Sequence, residues 1–132
     1  MNAIEQMATM LLNTWAKKPL EELRIDAERE ASGIAFESFR ADGGQRFMIV
    51  LVATDVEQIA LLEKAFELVD DGIVEDWNEI TLADLAFRVM RKRGGLRFES
   101  LRDEYGRRSA LALIAAEPGS VRLIETFFKM PA

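Results

Sequence analysis

The octapeptide Gly33-Ile34-Ala35-Phe36-Glu37-Ser38-Phe39-Arg40 returns as Gly95-Leu96-Arg97-Phe98-Glu99-Ser100-Leu101-Arg102, a gapless shift of 62 residues from Phe36 to Phe98. The same shift carries Trp15 onto Trp77, Leu20 onto Leu82, Leu23 onto Leu85, Gly44 onto Gly106, Leu61 onto Leu123, Glu63 onto Glu125 and Phe66 onto Phe128. Chance matches do not hold one register over so much of a chain, so the pattern marks a duplicated structural unit. Units of this size cannot easily bury their apolar faces alone, whereas 132 residues suit one domain. The expected organisation is a single domain over residues 1–132, made of two pseudo-equivalent units, 1–62 and 63–124, plus a closing helix to 132.

Each unit reads as a helix followed by three strands. Ile4, Met7, Leu11 and Trp15 recur at helical spacing and predict a first helix from Met1 to Trp15. Val56, Ile59, Leu62, Phe66, Val69 and Ile73 predict a central helix, N-capped by Asp55 and interrupted at Asp70-Asp71-Gly72. After Pro118-Gly119, Val121, Ile124 and Phe128 predict the closing helix.

Between the helices the pattern alternates. Leu23, Ile25 and Ala27, and their counterparts Leu85, Phe87 and Val89, fit period-two strands, although both stretches also suit short helices. Gly43-Gly44, Gly94-Gly95 and Gly106 sit where tight hairpins need positive φ. The expected class is α+β, an internally duplicated αβββ-αβββ-α chain with antiparallel sheet or sheets and helices packed on one face.

Phe47 to Val52 and Ala110 to Ala115 are apolar on both alternating faces, as strands buried on both sides are. With helices on one face only, the other face needs a second repeat, a second chain or a client. Phe39 and Leu101 point away from the Ile34/Phe36 and Leu96/Phe98 faces, so a protein-binding surface is expected to include Phe39, Leu101, Met48 and Val50. Trp15 and Trp77 are further candidates, as anchors or as caps on the core.

Catalysis has little to stand on. There is no histidine and no cysteine, so the usual general base, the usual nucleophile pairs and zinc-type ligands are missing, and no phosphate or dinucleotide loop is present. Glu37 and Glu99 are the remaining candidates for a carboxylate pair across a pseudo-axis, against the plainer reading that they are solvated or pair with Arg40 and Arg102. No catalytic residue, cofactor or metal is assigned. The net charge of −6 disfavours nucleic acid despite the run Arg88, Arg91, Lys92 and Arg93. No apolar stretch suits a membrane span, and the lack of cysteine and of a leader-like N-terminus points to the cytoplasm.

The order formed by Met1–Trp15, the hairpin Ile34–Val52, the helix Val56–Val69 and the helix Val121–Met130 resembles class I type III secretion chaperones and YbjN-like proteins. That resemblance implies a small acidic homodimer that holds a partly unfolded client on apolar patches. The expected function is therefore non-enzymatic binding of another protein, client or toxin, in a chaperone- or adaptor-like manner. An acidic immunity or inhibitor protein and a structural dimerisation module are the alternatives.

Overall fold

Leu82, Leu85, Ala86 and Val89 recur at positions i, i+3, i+4 and i+7, which lays one continuous apolar stripe along a helix. Thr81 and Asp84 close a capping box at its start: the Thr81 hydroxyl accepts from the Asp84 amide and the Asp84 carboxylate from the Thr81 amide, both at 3.1 Å. This segment, Leu82–Met90, is therefore a helix, and so is its repeat mate Leu20–Arg29, where Leu20, Leu23 and Ala27 are buried. The strands expected at Leu23–Ala27 and Leu85–Val89 are thus corrected to helices, because the three- and four-residue spacing outweighs the local alternation.

The computed structural model describes residues 14–40, 43–68, 76–91 and 93–130, excepting the side chains of residues 14 and 15. After a 3-10 turn at Thr14–Lys17 come α1 (Leu20–Arg29), β1 (Ile34–Arg40), β2 (Arg46–Ala53), α2 (Val56–Ala65), α3 (Leu82–Met90), β3 (Leu96–Arg102), β4 (Arg108–Ala115) and α4 (Pro118–Phe127). Each unit is αββα, in place of the expected αβββ, and each element of the second begins 62 residues after its mate in the first. The fold is α+β with one antiparallel four-stranded sheet in the order β1-β2-β4-β3. Of the helix expected from Met1 to Trp15, residues 1–13 lie outside the described residues, and Thr14 and Trp15 open the 3-10 turn.

The pairing of β2 with β4 places Leu51 opposite Leu113, with Ile49 opposite Ala115 and Ala53 opposite Leu111. Equivalent positions thus meet each other, and a pseudo-twofold axis crosses the sheet at Leu51 and Leu113. The same axis relates the amide of Leu20 donating to the Ile80 carbonyl at 2.9 Å to that of Leu82 donating to the Lys18 carbonyl at 3.0 Å. Those two bonds satisfy helix N-terminal donors with the backbone of the other unit.

Helices cover both faces of the sheet, which corrects the expected one-sided packing. On one face α1 and α3 bury Met48, Val50, Val52, Ala112 and Ile114; on the other α2 and α4 bury Ile49, Leu51, Leu111 and Leu113. The strands apolar on both faces are explained by this alone, since both of their sides are dry. Asp55 caps α2 as expected, accepting from the Gln58 amide at 3.2 Å. The helix ends at Ala65, well before Val69.

The glycines do two different jobs. Gly44 and Gly106 take positive φ in the β1–β2 and β3–β4 hairpin turns, and the turn carbonyls accept from Arg40 at 2.7 Å and Arg102 at 2.8 Å. Gly94-Gly95 is no hairpin: with α3 a helix, it joins α3 to β3.

Candidate functional site

The expected binding surface is largely interior. Met48 and Val50 are fully buried beneath α1 and α3, Phe39 is buried edge-on against Phe47 with ring centroids 4.7 Å apart, and Trp77 is buried in the same cluster. Leu101 is half-buried at the margin of that core, and the Trp15 side chain lies outside the described residues. Met48, Val50, Phe39 and Trp77 are corrected from a partner surface to core because two of the chain's own helices occupy the face assigned to a partner.

Glu37 and Glu99 do not form a pair. They stand on β1 and β3, the two outer strands, three strand spacings or roughly 14 Å apart. Glu37 accepts from Lys18 at 3.2 Å; Glu99 is buried and accepts from Arg97 Nε at 2.8 Å. Among the described residues no group of three or more Asp and Glu side chains is arranged to hold a metal ion. Nor is any helix among them long and apolar enough to cross a membrane.

The surface that does stand out is the outer side of β1. Phe36, paired with Leu51, lies on the face shared with α2 and α4 and is 45 % exposed. Its repeat mate Phe98 is 7 % exposed. The difference arises at the C-terminal ends of α2 and α4. Beyond α2 the chain leaves Phe66 in an extended conformation, φ −121° and ψ 144°, and the Phe66 ring lies over Phe98 at 5.9 Å. Beyond α4 the equivalent Phe128 has φ −95° and ψ 5°, Lys129 comes next at φ 54°, and the Phe128 ring turns onto Phe127 at 4.9 Å. The ring that covers Phe98 in one unit is drawn aside from Phe36 in the other.

A groove of about 500 Å³ results, with Ile34, Phe36, Leu61, Phe127, Phe128 and Met130 along it. Leu61 is itself exposed, and the Arg46 guanidinium sits 5.9 Å from the Phe36 ring centre. Around the edge of β1, on the α1 side, a second cleft of about 470 Å³ is lined by Leu23, Asp26, Arg29, Glu30 and Glu37 among others. Lys18 bridges two of these acids, donating to Asp26 Oδ2 at 2.7 Å and Glu37 Oε1 at 3.2 Å. The Lys18 ammonium titrates above its ordinary value: partial burial works against the charge, and hydrogen bonds to and attraction by Asp26 and Glu37 outweigh it.

On the second unit the corresponding surface is basic, with Arg88, Arg91 and Arg97 beside Asp84. Sequence reasoning missed Phe36 because nothing local distinguishes it from Phe98. The available signal was Lys129, which occupies the position after a helix where glycine is usual.

No protein-family model, no curated protein and no solved structure matches the chain.

Proposed function

We propose that the chain is a cytoplasmic protein-binding module of adaptor type, engaging another protein through the β1 side of its first unit. The observation that carries this reading is the contrast between Phe36 and Phe98: one sequence position, duplicated, with its aromatic ring covered in one copy and open in the other. An exposed aromatic in an apolar groove beside Leu61 is the kind of anchor that dominates association energy. The absence of cysteine agrees with a reducing compartment. Because both sheet faces are filled by the chain's own helices, binding runs along the sheet's edge and not across its face.

The test is affinity isolation from the native cell at low and high salt, with the wild-type protein and with Phe36→Ser, after circular dichroism has established that the variant is folded. One stoichiometric partner, held by the wild type at high salt and lost by the variant, is the expected result. Recovery of the protein alone, or equal retention by Phe36→Ser, overturns the reading.

A further inference from the structure

We infer that the outer edge of β1 docks an extended partner segment that alternates apolar and basic residues, its apolar side chains meeting Phe36 and its basic ones meeting Asp26, Glu30 and Glu37. This rests on the protein-binding reading above and adds to it the mode of attachment and the chemistry of the partner.

Among the described residues β1 is hydrogen-bonded on one side only, by β2. Its seven residues carry no proline and no lysine, two common devices that keep an outer strand from pairing. A strand added there gains main-chain hydrogen bonds along its length, and its side chains point alternately to the two sheet faces. Those faces differ at this edge. One presents Ile34 and Phe36 to the groove bordered by Leu61 and Phe128; the other presents three acids, Glu37, Asp26 and Glu30, with Arg29 the one basic residue lining that cleft. Alternation in the guest is therefore matched to alternation in the host.

The charge of the guest is set by the first unit. Residues 20–30 hold Glu21, Glu22, Asp26, Glu28 and Glu30 against Arg24 and Arg29, whereas the equivalent residues 82–92 of the second unit hold Asp84 against Arg88, Arg91 and Lys92. Lys18 engages one oxygen each of Asp26 and Glu37, whose side chains remain 41 % and 31 % exposed, so each carboxylate retains acceptor capacity for an incoming cation. The apolar half of the guest is read from the second unit, where Phe98 is satisfied by the ring of Phe66. An aromatic side chain is the complement the duplicated position already uses.

A second copy of the chain fits less well. Pairing β1 with another β1 brings two sets of Asp26, Glu30 and Glu37 together, and pairing it with β3 offers a Phe98 already covered by Phe66.

The experiment uses the full-length protein and two labelled peptides of the same composition: alternating Lys-Phe-Lys-Val-Lys-Phe-Lys, and a version with its lysines in one block. Fluorescence anisotropy at physiological salt should show the alternating peptide binding at least about tenfold tighter than the block peptide. Phe36→Ser and, separately, Glu30→Lys, at an exposed position, should each weaken that binding by severalfold, and amide exchange over residues 34–40 should slow in the complex. Equal binding of both peptides, or unchanged exchange along β1, overturns the inference. So does a sedimentation shift to a dimer that Phe36→Ser abolishes, which assigns the edge to a second copy. Failure of both peptides while Phe36→Ser still releases the native partner removes the strand-addition mode and leaves the protein-binding function standing.

Discussion

Leu51 of β2 lies directly opposite Leu113 of β4, and the two are the same position of the repeated unit. That pairing turns the duplication into geometry: the joint between the units is self-complementary, as in a twofold dimer, with one chain supplying both halves. The reciprocal backbone bonds Leu20 to Ile80 and Leu82 to Lys18 repeat the relation at the other end of the helices. Whatever lies on the axis is held in common by both units. The outer strands lie farthest from it, and there the units differ most: Phe36 is open where Phe98 is covered, and acids stand where the second unit has arginines.

The axial pair gives a first prediction. Both leucines are fully buried in the α2/α4 core, so Leu51→Ala and Leu113→Ala should each destabilise the fold by about 3 kcal/mol. Because the two side chains share one site, the double variant should depart from additivity by about 0.5 kcal/mol or more. Urea unfolding at unchanged m-value measures this. Strict additivity would mean that the two cavities relax independently and that the axis is not a packed contact.

A second prediction concerns the entry to each hairpin. Gly33 and Gly95 have φ of 71° and 59°, and an added Cβ would fall 2.5 Å from Asp55 Cβ and 2.4 Å from Glu117 Cγ. These residues stand at the N-caps of α2 and α4, so the glycines let each hairpin close against the helix after it. Gly33→Ala meets the Asp55 Cβ and, at 3.0 Å, its backbone nitrogen, while Gly95→Ala meets Glu117 side-chain atoms alone, Cγ and, at 2.9 Å, Cβ. Both should destabilise through the positive φ, by about 1 kcal/mol or more, and Gly33→Ala should be the worse of the two in thermal unfolding.

The repeat is legible in the sequence because it rests on residues with few substitutes: glycines at positive φ and an arginine that reaches the turn carbonyl in each hairpin. The helical character of 82–90 is legible too. Reading Leu85, Phe87 and Val89 as alternating leaves out Leu82 and Ala86, which complete a helical stripe, and the Thr81/Asp84 capping box points the same way. Taking these stretches as strands removes two helices and leaves a sheet face without cover, so Met48 and Val50 read as partner surface when they are core. Phe36 is not legible from its own surroundings. Its exposure depends on the turn taken after α4, some ninety residues along the chain, a tertiary consequence that no pattern around Phe36 records.

Two salt bridges cross between the units in reciprocal fashion and give a third prediction. Arg46 Nη1 meets Glu125 at 2.5 Å and its mate Arg108 Nη1 meets Glu63 at 2.6 Å, while each guanidinium Nε donates to Ser38 or Ser100 of its own hairpin at 2.8 Å. The surroundings differ: the Arg46 side chain is 4 % exposed and Glu125 18 %, against 13 % and 44 % for Arg108 and Glu63. Removing the charge of one partner of a buried pair leaves the other charge less compensated, so Glu125→Gln should cost about 2 kcal/mol or more, and Glu63→Gln under about 1 kcal/mol. Raising salt to about 1 M should erase the smaller effect and leave most of the larger. Equal costs for the two variants would remove burial as the reason.

Lys129 carries the last prediction and links stability to the open groove. The end of α4 is a complete Schellman turn: the Met130 amide donates to the Glu125 carbonyl at 2.8 Å and the Lys129 amide to the Thr126 carbonyl at 3.2 Å. Lys129 occupies the left-handed position at φ 54°, where a side chain costs about 1 kcal/mol relative to glycine. Lys129→Gly should therefore raise stability by up to about 1 kcal/mol, less the entropy glycine adds to the unfolded chain. It should also hold Phe128 more firmly on Phe127 and leave Phe36 open. Lys129→Val works in the opposite direction, because a β-branched residue tolerates positive φ least. With the turn destabilised, residues 128–130 are expected to adopt the extended path that Phe66 takes after α2, bringing Phe128 over Phe36. Peptide binding at β1 should then weaken for Lys129→Val and persist for Lys129→Gly. If both variants bind alike, the turn after α4 does not control the groove.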